Sequence, residues 1–246
     1  VVLVERMLLD AKNVKSLAEQ YSNRNEGQLT VAATHTQARY ALPRVVTEFK
    51  RLYPKVHLKL RQGSPEEISG LLLNGEAEIG VATEAVAGVA ELVSFPYYAW
   101  HHAVVVPKDH PLAAIAQPSI EDIADYPIVT YHEGFTGRTK IDRSFAAAGL
   151  SPDIVMSALD ADVIKTYVEL GLGIGILAAM AFNPEKDAGL RLLDVAGLFE
   201  ENVTRIAVRR GQYLRGFAYK FIELCSAALD EATVREALNP GRESEL

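Results

Sequence analysis

The sequence runs to 246 residues, 49% hydrophobic and 23% charged, the balance of a globular chain of one large or two small domains. A net charge of -7 argues against a nucleic-acid surface within these residues, because phosphate binding needs a basic face. The single cysteine, Cys225, excludes an internal disulfide and a cysteine-built metal site, and fits a reducing, cytoplasmic setting.

No apolar run approaches membrane-spanning length. The opening Val1-Val2-Leu3-Val4-Glu5-Arg6 lacks the basic start of a signal peptide. It also lacks an initiator Met and begins inside a helical pattern, so the sequence reads as a fragment with more chain upstream. In residues 1–21, Val1, Val4, Leu8, Ala11, Val14 and Ala18 recur at three- and four-residue spacing. That narrow stripe suits a linker or pairing helix, or a helix packed on its own domain. Residues 22–27 are a turn-rich break.

From residue 28 strands and helices alternate. Residues 29–33 read as a buried strand, and Leu42, Val46, Phe49 and Tyr53 as a helical face with Pro43 near its start. Val56, Leu58 and Leu60 alternate as a strand. Ser64-Pro65-Glu66-Glu67 matches a capping box opening a helix to Leu73, and residues 78–82 form the next strand, with Thr83 at its end. Residues 92–106 read as a proline-broken extended crossover between two lobes. Beyond it come a short helix capped by Ser119, a strand at 128–131, a helix at 138–148 and a strand at 154–158. A helix capped by Asp160, an apolar strand at 173–177 and strands at 191–195 and 203–208 follow, the last crossing back. A final helix carries Leu214, Phe217, Phe221, Leu224 and Cys225 on one side.

Such βα alternation predicts an α/β fold of two Rossmann-like lobes with a central cleft, as in periplasmic binding proteins, preceded by a linker helix. The expected bounds are 1–21 for that helix, 27–95 with 202–226 for the first lobe and 100–200 for the second. Residues 227–246 read as the end of the last helix and a tail.

In such sheets ligands sit beyond the C-terminal strand ends. The first lobe places Thr34, Thr36, Gln37 and Thr83 there, in Thr34-His35-Thr36-Gln37 and after the strand at 78–82. The second contributes Thr136, within Gly134-Phe135-Thr136-Gly137-Arg138, and Trp100 lies at the crossover with its indole N–H as a donor. Each threonine taken singly reads as a helix cap or turn residue. Their joint placement at strand ends points to neutral donors around a small, partly anionic ligand.

Enzyme readings are weaker. His35, His57, His101, His102, His110 and His132 are scattered without metal-ligand spacing, and a strand sends the side chains of His101 and His102 to opposite faces. There is no G-x-S-x-G elbow. Gly171-Leu172-Gly173-Ile174-Gly175 precedes an apolar strand and lacks the context of a dinucleotide site. Asp160-Ala161-Asp162 reads as a helix start, and Cys225 as a packing thiol on an apolar stripe. No catalytic residue, metal or cofactor is expected.

Together these segments resemble the effector-binding domain of LysR-type transcriptional regulators, over almost the whole chain. The resemblance rests on Leu42-Pro43, Tyr53-Pro54, Gly75 after the capped helix, His110-Pro111-Leu112 and the stretch from Val168 to Gly175. The string from Thr34 to Pro43, Ala82-Thr83-Glu84-Ala85, Gly134 to Arg138 and Asp160 to Val168 look like the branch that controls sulfur assimilation and cysteine biosynthesis. The resemblance implies an upstream winged helix-turn-helix that alone binds DNA, a cytoplasmic location, no membrane contact, and a homo-oligomer: a dimer of this domain, a tetramer at full length. It implies an acetylated serine inducer, with sulfate or a related anion able to take its place, held by Thr34, Thr36, Gln37, Thr83, Trp100 and Thr136. A paralogue class sensing an adenylylated sulfate shares much of the pattern. A free-standing solute-binding protein uses the same two-lobe physics, and a small-molecule transferase is the remaining alternative.

Overall fold

The computed structural model describes residues 25–239 and, ahead of them, Met7, residues 10–14 and 16–18. The chain divides into two compact units, 1–97 with 204–246, and 98–203.

The first unit holds a five-stranded sheet in the order β2-β1-β3-β10-β4. β1 is Gly27–Ala33, β2 Val56–Gln62, β3 Ile79–Thr83, β4 Leu92–Trp100 and β10 Asn202–Arg209. β1 runs parallel to β2 and β3, as the intervening helices require. Helix α1, Leu42–Leu52, has Pro43 in its first turn, where no N–H is missed, and Lys50 and Arg51 in its last, where they complement the dipole. It buries Leu42, Val45 and Phe49 against Leu29 and Val31 and against Phe217 and Phe221 of α6, Gly216–Cys225. Phe49 and Phe221 meet edge to face at 5.4 Å. Helix α2, Pro65–Leu73, opens with both halves of the capping box in place: Glu67 N–H donates to Ser64 Oγ, and Ser64 N–H to the Glu67 carboxylate.

The second unit repeats the plan with order β7-β6-β8-β5-β9. β5 is His102–Pro107, β6 Ile128–Tyr131, β7 Ile154–Ala158, β8 Ile174–Ala178 and β9 Leu190–Leu193. Helices α3, Ile120–Ala124, α4, Thr136–Ala147, and α5, Ala161–Glu169, connect them. Val104, Ile128, Ile141, Phe145, Ile174 and Phe199 are central to one of its buried clusters.

The α/β class and two-lobe organisation agree with the sequence reading, but both sheets are mixed. β10 runs antiparallel to β3, and β5 antiparallel to β8 and β9. These strands arrive from a chain crossing or a loop, not from a βα unit, so nothing enforces parallel entry. The expected crossover at 92–106 is two strands, β4 and β5, broken at His101 and placed in different sheets. Helix α4 begins at Thr136, two residues earlier than expected. Past α6, a separate helix α7, Glu231–Leu238, opens where the Asp230 carboxylate accepts from Thr233 N–H. The three glycines of Gly171–Gly175 serve the fold separately: Gly171 ends α5 at φ +82°, and Gly173 and Gly175 pass close to Pro127 and Val105.

Val1, Val4 and Leu8 of the leading stripe lie outside the described residues. Met7, residues 10–14 and 16–18 are helical. The polar side of this helix is the attached one: Asn13 donates to Gly211 O and accepts from Tyr213 N–H, and Lys12 donates to Asn74 O. Met7 and Val14 stay about two-thirds exposed, at 64% and 68%. Among the described residues no helix is long and apolar enough to cross a membrane.

Candidate functional site

In the first unit the chain leaves β1 at Thr34, whose N–H donates to Val81 O of β3 at 3.2 Å. β1 and β3 are parallel neighbours, with Ala33 opposite Val81, so Thr34 and Thr83 stand at the same sheet end. Past Thr34 the chain enters helix at once, and residues Gln37–Ala41 form a π-helical turn ahead of α1. That turn was not legible in the sequence. A π turn widens the helix and commonly accompanies functional sites. Thr34, Gln37 and Thr83 are buried, and Thr36 is half-buried at the N-cap without a side-chain cap bond.

In the second unit Thr136 is the first residue of α4, and Trp100 ends β4. A Cβ built on Gly137 would stand 2.9 Å from His102 Nε2 and 3.6 Å from Trp100 Cη2. Gly137 therefore lets the first turn of α4 lie on these rings, while Gly134, at φ +92° with open space around it, makes the turn. Arg138 is buried, with Nε donating to Asp142 Oδ1 at 2.7 Å and Nη1 donating to Tyr131 O, so its charge is spent internally.

The structure thus gathers Thr34, Thr36, Gln37 and Thr83 at one sheet end of the first unit, and Trp100 and Thr136 around the start of α4 in the second. Both segments begin helices that no side chain caps and that carry no acid in the first turn. Elsewhere Ser64, Asp160 and Asp230 cap α2, α5 and α7 with their own oxygens. Helix α6 is also uncapped, but Arg215 precedes it. Helix starts of this kind, at the dipole's positive end and with threonines beside them, suit oxyanions without needing a fixed cation.

Several of the other chemistry-bearing groups have structural roles. His102 is fully buried and His101 partly exposed, but His101 lies in the break between β4 and β5 and not on the expected strand. Burial first, then the nearby charges of Lys140 and His101, pushes the His102 imidazole down to about 3, so it is neutral. His110 Nδ1 accepts from Leu112 N–H, and its ring meets Tyr126 edge to face. Asp160 caps α5, and buried Lys165 bonds Asp162, Asp187 and Ala181 O. Burial raises the Cys225 thiol to about 12, leaving it unreactive. Among the described residues no cluster of His, Cys, Asp or Glu could hold a metal. A cavity of 340 Å³ lies within the first unit, lined by Lys12, Glu78, Arg209, Tyr213 and Arg215 among others; none of the six candidate residues borders it. Asn202, buried beside His102, was missed by the sequence reading, since nothing local marks an asparagine that pairs with a residue 100 positions away.

A family model described as the LysR substrate binding domain matches residues 22–230. The HTH-type transcriptional regulator SsuR of Burkholderia cenocepacia is 54% identical over 232 residues, covering 94% of this chain and 75% of the relative. The HTH-type transcriptional regulator CysB of the same organism is 51% identical over 241 residues, covering 98% and 77%. The crystal structure of the cofactor-binding domain of the Cbl transcriptional regulator superposes with a TM-score of 0.83 at 47% identity, covering 88% of this chain and 95% of that one.

Proposed function

The chain belongs to the LysR substrate-binding-domain family, and from that premise we propose that it is the effector-sensing part of a cytoplasmic transcription regulator of sulfur assimilation and cysteine biosynthesis. The ligand is an acetylserine-type inducer, sulfate or a related anion. Thr34, Thr36, Gln37 and Thr83 of the first unit and Trp100 and Thr136 of the second hold it. DNA is contacted by a winged helix-turn-helix outside these residues. The observation that carries the reading is the pair of uncapped, acid-free helix starts, one in each unit, each opening beside a candidate threonine. Relatives at 54% and 51% identity that are transcriptional regulators support sensing over catalysis.

Calorimetric titration with N-acetylserine, sulfate, thiosulfate and an adenylylated sulfate tests it. Saturable heat with at least one of them is expected, and the strongest names the effector; no heat from any, in folded protein, refutes the reading. A hydrogen bond to a charged group contributes about 1.5–3 kcal/mol, so Thr36→Ala and Thr136→Ala should each weaken binding by about tenfold or more. The melting temperature of Thr36→Ala should barely move, because Thr36 makes no cap bond to lose. Parallel loss of fold and binding would mark both as structural.

The same premise implies a dimer of this domain and a tetramer of the full-length chain. Val163 and Tyr167 of α5, one turn apart, with Leu159 just before the helix and Leu170 at its C-cap, are each 38% or more exposed. We assign this stripe to a second copy, and the leading helix, attached by its polar side, to pairing between chains. Tyr167→Glu, which buries a charge in any such contact, should shift sedimentation towards monomer at concentrations where the parent is dimeric. Identical sedimentation of the two proteins would remove α5 from the interface.

A further inference from the structure

Two buried polar atoms of the second unit have no hydrogen-bond partner and belong to one cluster: Nε2 of His102 and Oδ1 of Asn202. Both side chains are fully enclosed. Native interiors rarely leave such atoms unpaired, and an aliphatic side chain would fill the space without that penalty. The cluster's position suggests what the imidazole does instead. Asn202 Nδ2 lies 3.4 Å from His102 Nδ1 and 3.5 Å from Glu200 O, which fixes the plane of the ring. Phe199 stands edge-on to it at 5.9 Å, and Tyr131 lies at 6.4 Å. On its far side the ring meets Trp100 edge to face at 5.1 Å, and its Nε2 faces the bare Cα of Gly137 in the first turn of α4.

We infer that His102, held in plane by Asn202, is a positioning residue for the second unit's share of the effector site. Its ring sets the Trp100 indole and the uncapped start of α4 at a fixed spacing. This rests on the functional reading above, in which both groups contact the ligand. The His102 ring is a rigid planar neighbour of Trp100, and Gly137 is the residue type that lets the helix close on the ring. A binding group held by locked neighbours keeps its geometry when the ligand is absent.

Trp100 is the chain's single tryptophan, so its fluorescence reports the cluster directly. His102→Leu and Asn202→Ala remove the ring and its holder without touching Trp100 or Thr136. Sulfate and N-acetylserine are the probes, titrated by calorimetry, with Trp100 emission and acrylamide quenching recorded before ligand is added. Both variants should show altered Trp100 emission and about tenfold weaker binding, whereas His102→Phe, which restores a planar ring, should bind within about threefold of the parent. Parent-like affinity in His102→Leu and Asn202→Ala overturns the inference, with or without a spectral change, and leaves the site reading intact. Failure of the parent itself to bind either probe sinks the site reading instead. Should His102→Leu not fold, Asn202→Ala decides, since it leaves every aromatic ring in place.

Discussion

Gly173→Ala is expected to destabilise the second unit by about 3 kcal/mol or more, a large share of a domain's stability. A Cβ on Gly173 would fall far inside van der Waals distance of the Pro127 carbonyl oxygen, and 2.8 Å from the carbonyl carbon. That oxygen cannot swing away, because it accepts Ile174 N–H at 2.8 Å where β8 joins the chain entering β6. The obstacle is backbone, so no rotamer change relieves it. Gly70→Ala is the matched control with opposite sign. Gly70 lies inside α2 with nothing near its missing Cβ, and alanine there should stabilise by about 0.5–1 kcal/mol through helix propensity and a stiffer unfolded chain. Urea melts followed by Trp100 emission read the second unit, and far-ultraviolet circular dichroism reads both. A folded Gly173→Ala protein with an unchanged Trp100 transition would show that the approach of β8 to Pro127 is looser than described.

Periodicity and capping chemistry made most of the elements legible. The alternation of residues 56–60, the Ser64 box and the Asp160 cap each express a local rule that tertiary packing did not override. Strand direction was not local. β5 and β10 carry no residue pattern that marks direction, and the route by which the chain reaches them sets them antiparallel to β8, β9 and β3. The π turn at Gln37–Ala41 escaped for a related reason: one extra residue in a helical turn leaves the apolar spacing of Leu42, Val45 and Phe49 undisturbed. For the candidate site, hydroxyl-bearing residues at strand ends were readable as turns, caps or ligand donors alike. Whether such a residue caps its helix depends on backbone geometry that the sequence does not fix; no side-chain cap bond is made at Thr36 or at the start of α4. His101-His102 announced opposite faces, but not that the inner one would meet Asn202 and Gly137.

Acid should expose the buried imidazole. Unfolded, His102 titrates near 6.5; folded, burial holds it at about 3. Between those values the unfolded chain binds a proton that the folded one refuses, so acid favours unfolding. The associated stability is complete above about pH 6.5 and is lost progressively down to about pH 3, at up to about 1.4 kcal/mol per pH unit. Glu78 acts with the opposite sign: burial raises its carboxyl, and the stability that brings is lost as pH rises. Because Glu78 is common to parent and variant, it cancels when the two are compared. Urea melts of the parent and of His102→Phe at pH 7, 6, 5 and 4, read through Trp100, isolate the histidine's contribution. Between pH 6 and 4 the parent should lose about 2–3 kcal/mol more than the variant, whatever the offset between them at neutral pH. Parallel curves would mean that the folded protein protonates His102 freely, and an imidazole that ionises there could not be sealed against Trp100 and Gly137.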